Sequence, residues 1–214
     1  MSATYAPATA PTQTSALFGR VMALVALTVG FATLGVWVAR DWGGAGWFIA
    51  WLLAIGCLIG LNVANARGNT SLALCLLLAF GLLMGASVAT TVNYYSATDP
   101  TAVRQAFGAT ALFVGGLGTA GYAVRRDLSG LYRLAFWLLL ALILGGIVTI
   151  VINIPGLYTA WSLLGLVVFG LYTVIDFNRL RRAGTEEAIP LAAGIFLDIL
   201  NIFLIFLRLF SRSS

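Results

Sequence analysis

The stretch LAFWLLLALILGGIVTIVINIPGLYTAWSLLGLVVFGLYTVI, which runs from Leu134 to Ile175, contains no charged residue. A membrane-spanning helix needs about 20 mostly apolar residues, so this stretch is roughly twice the length of one span. Its centre holds Asn153-Ile154-Pro155-Gly156, a sequence typical of a turn. The stretch therefore predicts two transmembrane helices joined as a hairpin.

The composition extends this prediction to the whole chain. Of its 214 residues, 61% are hydrophobic and 9% are charged, whereas about 25% are charged in soluble domains. So few charges cannot cover a water-exposed surface, and the surrounding solvent must be lipid. We expect an all-α membrane protein with seven transmembrane helices in one domain, residues 17–212, after a disordered tail, residues 1–16. The other charge-free windows are Val21–Ala39, Trp42–Ala66, Gly68–Thr98 and Gln105–Val124, and a final apolar stretch, Pro190–Phe210, completes the count at seven.

The arginines predict the orientation in the membrane. All twelve basic residues are Arg, and they lie between apolar segments rather than in a stripe, which argues against a nucleic-acid partner. Eight lie on the side of the N-terminus and four on the other side, so we expect a cytoplasmic N-terminus. The absence of Lys suggests a GC-rich bacterial genome and hence a bacterial inner membrane. Whether the last helix spans fully or re-enters stays open at this stage.

Several classes of site have no signature in the chain. It contains no His, and it shows no phosphate-binding loop, metal-ligand cluster or nucleophile–base pair. Cys57 and Cys75 lie in apolar windows and are interpreted as small hydrophobic residues. We therefore expect neither an enzyme nor a cofactor, and any proton-linked behaviour near neutral pH must use carboxylates.

Asp176 and Asp198 are the candidate functional residues, because ionisable groups at membrane depth are costly and rare. Asp176 lies about 9 Å before Arg182, and Asp198 about 12 Å after Pro190, at 1.5 Å per helical residue. The two helices are antiparallel, so the carboxyl groups are predicted at similar depth. Two carboxylates in contact cannot both ionise easily, and the pair is predicted to act as a proton sensor.

Three polar residues are expected to support the pair. Asn201 lies one helical turn after Asp198 and is placed to hydrogen-bond the carboxyl groups. Arg67, on the same side of the membrane, is the hypothesised latch that protonation weakens. Arg179 is a competing partner for Asp176, which would then be only an interfacial charge. The run of Arg179, Arg181, Arg182, Glu186 and Glu187 is interpreted as a solvated loop with a topology signal.

Small residues predict where helices approach each other. Gly56/Gly60 and Gly81/Gly85 each place two glycines on one helix face, and Gly115, Gly116 and Gly118 follow in the fourth helix. Such spacings allow close backbone contact in membranes.

Two segments resemble the transmembrane BAX inhibitor motif, or Bax inhibitor-1, family. They are GYAVRRDLSG (Gly121–Gly130) and AGIFLDILNIFLIFLRLF (Ala193–Phe210). The resemblance implies a central last helix wrapped by the other six. It also implies a pH-sensitive calcium leak through the membrane, gated by Asp176 and Asp198 with Arg67 as the latch. The two aspartates would then be the calcium contacts.

The sequence departs from that family in two places. Ile175 precedes Asp176 where many members have Tyr, and the second helix carries no acidic residue. A non-conducting regulator that binds a membrane protease or another membrane protein therefore remains an alternative. An intramembrane aspartyl protease is disfavoured, since Gly-x-Gly does not precede Asp198 and no Pro-Ala-Leu element occurs. Ion selectivity, the direction of pH gating and oligomeric state are left open by the sequence.

Overall fold

Seven α-helices and one short 3-10 helix form the part of the chain that the computed structural model describes, residues 11–43, 45–151 and 157–211. The helices are α1 (Pro11–Val38), α2 (Gly46–Ala66), α3 (Thr70–Thr98), α4 (Pro100–Ala123), α5 (Leu131–Val151), α6 (Leu157–Leu180) and α7 (Ala188–Phe210), with the 3-10 helix at Thr185–Glu187. Six are long and apolar enough to cross a bilayer, and α5 has a shorter apolar core. The seven-helix prediction is confirmed.

Helix ends follow the polar and special residues of the sequence. Asp99 caps α4, its Oδ1 accepting a hydrogen bond of 2.9 Å from the backbone N–H of Ala102. Gly68 has a positive φ of 74° and ends α2, which leaves Arg67 at the helix boundary. α1 begins at Pro11, inside the stretch assigned to the tail, while residues 1–10 lie outside the described part. The predicted turn at Asn153–Gly156 also lies outside it, although α5 and α6 are separate helices as expected.

The last helix in chain order is the centre of the bundle. α7 packs against α1, α2, α3, α4 and α6, and half of its span is buried, the largest share of any candidate span. Its residues Ala188–Phe210 form one unbroken helix of roughly 35 Å at 1.5 Å per residue. α7 therefore has the length of a full span, not of a re-entrant segment. α5 packs chiefly against α6 and lies at the periphery.

Glycines bring α1 and α3 into backbone contact. A Cβ placed on Gly81 would lie 2.7 Å from the carbonyl oxygen of Thr28, and one on Gly85 would collide with the carbonyl of Ala32. The prediction of close packing is confirmed for this pair. It is wrong for Gly56, where a Cβ would meet no other atom within 4 Å, because that face of α2 points away from its neighbours.

Gly115 and Gly116 were likewise expected at a helix contact, and each would have open space around an added Cβ. Only Gly118 of that group lies against a neighbour, the ring of Phe177 on α6. The spacing of small residues therefore identified one tight interface and overestimated their number.

Candidate functional site: a buried aspartate pair between α6 and α7

Asp176 on α6 and Asp198 on α7 are both nearly inaccessible, with 6% and 4% of their surface exposed. Thr173, one turn before Asp176, donates its hydroxyl to Oδ2 of Asp198 at 3.4 Å. Gly194, one turn before Asp198, lies against Oδ2 of Asp176, which is 2.6 Å from where a Cβ would stand. Each helix thus presents one aspartate and one small partner for the other. The two carboxyl groups lie at matching depth, without a direct hydrogen bond between them in the described residues.

The two aspartates line one cavity of about 510 Å³. Its lining comes from α2, α5, α6 and α7. Its polar lining, besides the aspartates, consists of Asn62, Tyr132, Tyr172, Arg179 and Asn201. The remaining lining is mostly apolar, so the carboxyl groups lie in a poorly solvated space with a few oxygen and nitrogen groups near them.

Tyr132, at the start of α5, is a site residue that the sequence analysis missed. Its hydroxyl donates a short hydrogen bond to Oδ1 of Asp176, and its ring lies 6.3 Å from that of Tyr172, edge to face. The two partners of this hydrogen bond are far apart in sequence, on different helices. From the sequence alone, Tyr132 is only an aromatic residue near the start of an apolar stretch.

Arg179 is the arginine that lies beside the pair. It lines the cavity with Asp176 and contacts Tyr132, and it forms an ion pair with Glu187, whose Oε2 accepts from Nε at 2.7 Å. Arg179 thus lies close enough to Asp176 to compete with Arg67 for it, as predicted. Its guanidinium, however, is hydrogen-bonded to Glu187.

Arg67 and Asn201 differ in how they relate to the aspartates. Arg67 is exposed at the end of α2, does not line the cavity and forms no ion pair with either aspartate. Asn201 lines the cavity, but its Nδ2 donates to the carbonyl of Leu197 on its own helix at 2.8 Å. The structure brings together Asp176, Asp198 and Arg179, with Asn201 at the cavity wall, and leaves Arg67 apart.

The arginines at the end of α6 are not merely a solvated topology signal. Arg182 forms an ion pair with Asp127 at 2.8 Å, and Arg181 donates to the carbonyl of Val124 at 3.2 Å. The hydrogen bond from Arg182, with the backbone N–H of Ser129, lowers the pKa of Asp127 to about 2. The run is therefore largely solvated, as expected, and Arg181 and Arg182 also contact the α4–α5 loop.

Asn178 ties the same loop to α6 and was not foreseen. It is 1% exposed, and its Nδ2 donates to the carbonyls of Gly121, Val124 and Arg126 at 2.8–3.2 Å. Its Oδ1 accepts from the backbone N–H of Leu128 at 3.2 Å. A buried amide with this many partners fixes the carboxyl end of α4 and the loop that leads to Tyr132.

A family model described as "Bax1-I: Inhibitor of apoptosis-promoting Bax1" matches residues 14–214. The chain belongs to this Bax inhibitor family. The resemblance seen in the Gly121–Gly130 and Ala193–Phe210 segments is therefore confirmed. In the family member described here, the first segment is the loop fastened by Asn178, and the second is the central helix with Asp198.

Curated relatives of this Bax inhibitor family protein come from several bacteria. The inner membrane protein YbhL of Escherichia coli is 28% identical over 122 residues, 52% of each chain. An uncharacterised protein of Deinococcus radiodurans is 30% identical over 122 residues, 53% of each chain. One of Caulobacter vibrioides is 29% identical over 112 residues, 51% of this chain and 45% of its own.

The chain spans about half the length of the curated relatives that it matches. With its six long apolar helices, the likeness to an inner membrane protein makes it a multi-pass protein of the bacterial inner membrane. The lipid bilayer is thus its immediate environment, as the composition predicted.

Proposed function

We propose that this Bax inhibitor family protein is a pH-sensitive leak for cations, with calcium as the transported ion, gated by Asp176 and Asp198. The observation that carries the proposal is the meeting of two buried carboxyl groups from facing helices in one cavity of about 510 Å³. Ionisable groups at membrane depth are costly, and they mark ion paths and proton relays.

The pair has the chemistry of a proton-controlled cation contact. Two carboxyl groups in a poorly hydrated space do not ionise independently, so they gain and lose protons as a coupled unit. The unprotonated pair offers negatively charged oxygens to a cation, and protonation removes that attraction. Gating by pH then needs no histidine.

Calcium is proposed as a passing ion rather than a resident one. Calcium takes about 6–8 oxygen ligands, and the described residues contain no cluster of three or more His, Cys, Asp or Glu side chains. Two carboxylates with the oxygens of Asn201, Thr173 and water make a weak site. Weak binding suits conduction, since the ion must also leave.

The test is calcium flux into dye-loaded liposomes that contain the purified protein, measured across a pH series. We expect Asp198→Asn to abolish the pH dependence, because a neutral amide cannot exchange the proton. Asp41→Asn is the matched control, since Asp41 is exposed just after the end of α1 and lies outside the aspartate cavity. This variant should behave like the parent protein.

Flux that is indifferent to Asp198→Asn, or no flux at any pH, contradicts the leak. Either result favours a non-conducting regulator that binds a membrane protease or another membrane protein. Incubation of the same preparation with a model membrane substrate tests the aspartyl protease directly.

The proposal also assigns a latch to an arginine, and two arginines compete for that role. Arg67 is implied by the family resemblance, whereas Arg179 lies beside the pair. Comparing Arg67→Ala with Arg179→Ala in the flux assay separates them. An unchanged pH profile in Arg67→Ala removes Arg67 from the gate.

A further inference from the structure

A second cavity of about 400 Å³ lies at the end of α6, next to the α4–α5 loop. We call it the vestibule. Unlike the aspartate cavity, it is lined mainly by charged and polar side chains, and several of these are well exposed. Its lining comprises Asp127, Ser129, Tyr132, Ile175, Arg179, Arg182, Ala183 and Glu187. It is therefore a space that water and ions enter from the membrane surface.

Two residues line both the vestibule and the aspartate cavity, and they are Tyr132 and Arg179. No other residue is shared by the two linings within the described chain. The side chains of Tyr132 and Arg179 therefore form the partition between a polar surface space and the buried aspartate pair.

Each residue of the partition is held by a hydrogen bond, Tyr132 from the side of the aspartate cavity and Arg179 from the side of the vestibule. The hydroxyl of Tyr132 donates to Asp176 in the aspartate cavity. The guanidinium of Arg179 is held by Glu187, which lines the vestibule. The Glu187 carboxylate also offsets the charge of Arg179, so the partition does not present an unpaired positive charge to an approaching cation.

We propose that Tyr132 and Arg179 form the constriction through which water and cations pass from the vestibule to the aspartate pair, and that Tyr132 is the side chain that moves. The inference rests on the proposed leak for its biological role, but the route itself does not depend on calcium transport. It assigns Tyr132 as a positioning residue that determines access to Asp176 and Asp198.

Tyr132 moves, rather than Arg179, because of where each is attached. Arg179 belongs to α6, which packs against both α4 and α7, and its guanidinium is fixed by an ion pair. Tyr132 begins α5, which packs chiefly against α6. Displacement of the first turn of α5 breaks the side-chain hydrogen bonds of Tyr132 to Asp176 and Arg179, and it opens the partition while α4, α6 and α7 keep their mutual packing.

The experiment measures access to the aspartate cavity with a cysteine reporter. In a background with Cys57→Ala and Cys75→Ala, Leu197→Cys places a thiol in the aspartate cavity and outside the vestibule. Its rate of modification by a membrane-impermeant trimethylammonium thiosulfonate is measured in vesicles with the α6–α7 loop facing the reagent. Leu139→Cys, on the α5 wall, is a second reporter in case the first variant does not fold.

We expect Tyr132→Ala to raise the modification rate by roughly tenfold, because it removes both the hydrogen bond to Asp176 and the ring that separates the two cavities. Tyr132→Phe, which keeps the ring, should give a smaller increase. Tyr122→Ala is the matched control, because Tyr122 lies on α4 and lines neither the aspartate cavity nor the vestibule. Its rate should stay close to that of the parent.

Equal rates in the parent, Tyr132→Ala and Tyr122→Ala overturn the proposal. So does a reporter that the impermeant reagent never reaches, although the permeant N-ethylmaleimide modifies it. Failure of the route is distinct from failure of the leak. Calcium flux that needs Asp198 but ignores Tyr132 refutes only the route, whereas reagent entry without any calcium flux refutes only the leak.

Discussion

The α1–α3 interface and the α5–α6 interface join neighbouring helices in opposite ways. In the first, Gly81 and Gly85 bring backbone against backbone, with no room for a methyl group. In the second, the described contacts include side-chain bonds from Tyr132 to Asp176 and from Trp161 to the carbonyl of Leu142. The first interface has no room for larger side chains at these glycines, while the second depends on side-chain hydrogen bonds at its Tyr132 end and is tight where Gly145 meets the ring of Trp161. Asp176 takes part in the second interface through Tyr132.

Filling the tight interface should have the largest effect. Gly85→Val places side-chain atoms on the carbonyl of Ala32, so we expect a loss of about 3 kcal/mol or more of stability, or no folded protein. Thermal unfolding in detergent measures it. Gly56→Val is the control, because an added Cβ there meets open space. Equal losses of stability in both variants would show that the close contact at Gly85 does not matter.

Removing the hydrogen bonds that join the α4–α5 loop to α6 should have an intermediate effect. Asn178→Ala leaves the N–H of Leu128 and three carbonyls without their partner, at a cost of about 1–3 kcal/mol. We expect faster trypsin cleavage after the exposed Arg125 and Arg126, because the loop opens more often. Asn201→Ala loses only a bond within its own helix, and unchanged cleavage is expected there. If the two variants are cleaved alike, Asn178 does not hold the loop.

Removing the surface ion pair should have the smallest effect. Asp127→Asn breaks an exposed pair with Arg182, and exposed pairs contribute little, so trypsin cleavage should change by less than roughly twofold. A lowered folded-state pKa adds stability above the unfolded value of about 3.9, and that stability is lost as pH falls through about 2. Cleavage of the parent loop, relative to trypsin's cleavage of an unstructured peptide at the same pH, should thus be constant from pH 8 to 5. A change in that window would make Asp127 a competing pH sensor.

The sequence predicts the bundle well because lipid imposes long, charge-free windows. Windows bounded by Arg67 and by Pro190 end within two or three residues of the observed helices. The start of α1 was placed about ten residues late, since Arg20 was taken as a boundary. An arginine near a helix end can extend its head group to the interface, so a helix continues past it.

The candidate site was only partly predictable, for a different reason. Asp176 and Asp198 follow from rarity and from the rise per residue along two helices adjacent in sequence. Tyr132 and Asn178 bond partners on other helices and loops, and no local pattern marks such pairs. The role of Arg67 was hypothesised from its side of the membrane and from the family resemblance, and the observed packing leaves Arg67 exposed and outside the aspartate cavity.

The order of the helices has a consequence for how the protein is made. α7 is the centre of the bundle, yet the ribosome synthesises it after the five helices that pack against it. Those helices lack their shared packing partner until α7 is made. Asp198 and Gly194 both belong to that last helix. Asp198 contacts Thr173, and Gly194 contacts Asp176, only when α7 packs against α6. The aspartate pair therefore cannot assemble before α7 is made, and synthesis interrupted before α7 leaves Asp176 without Asp198.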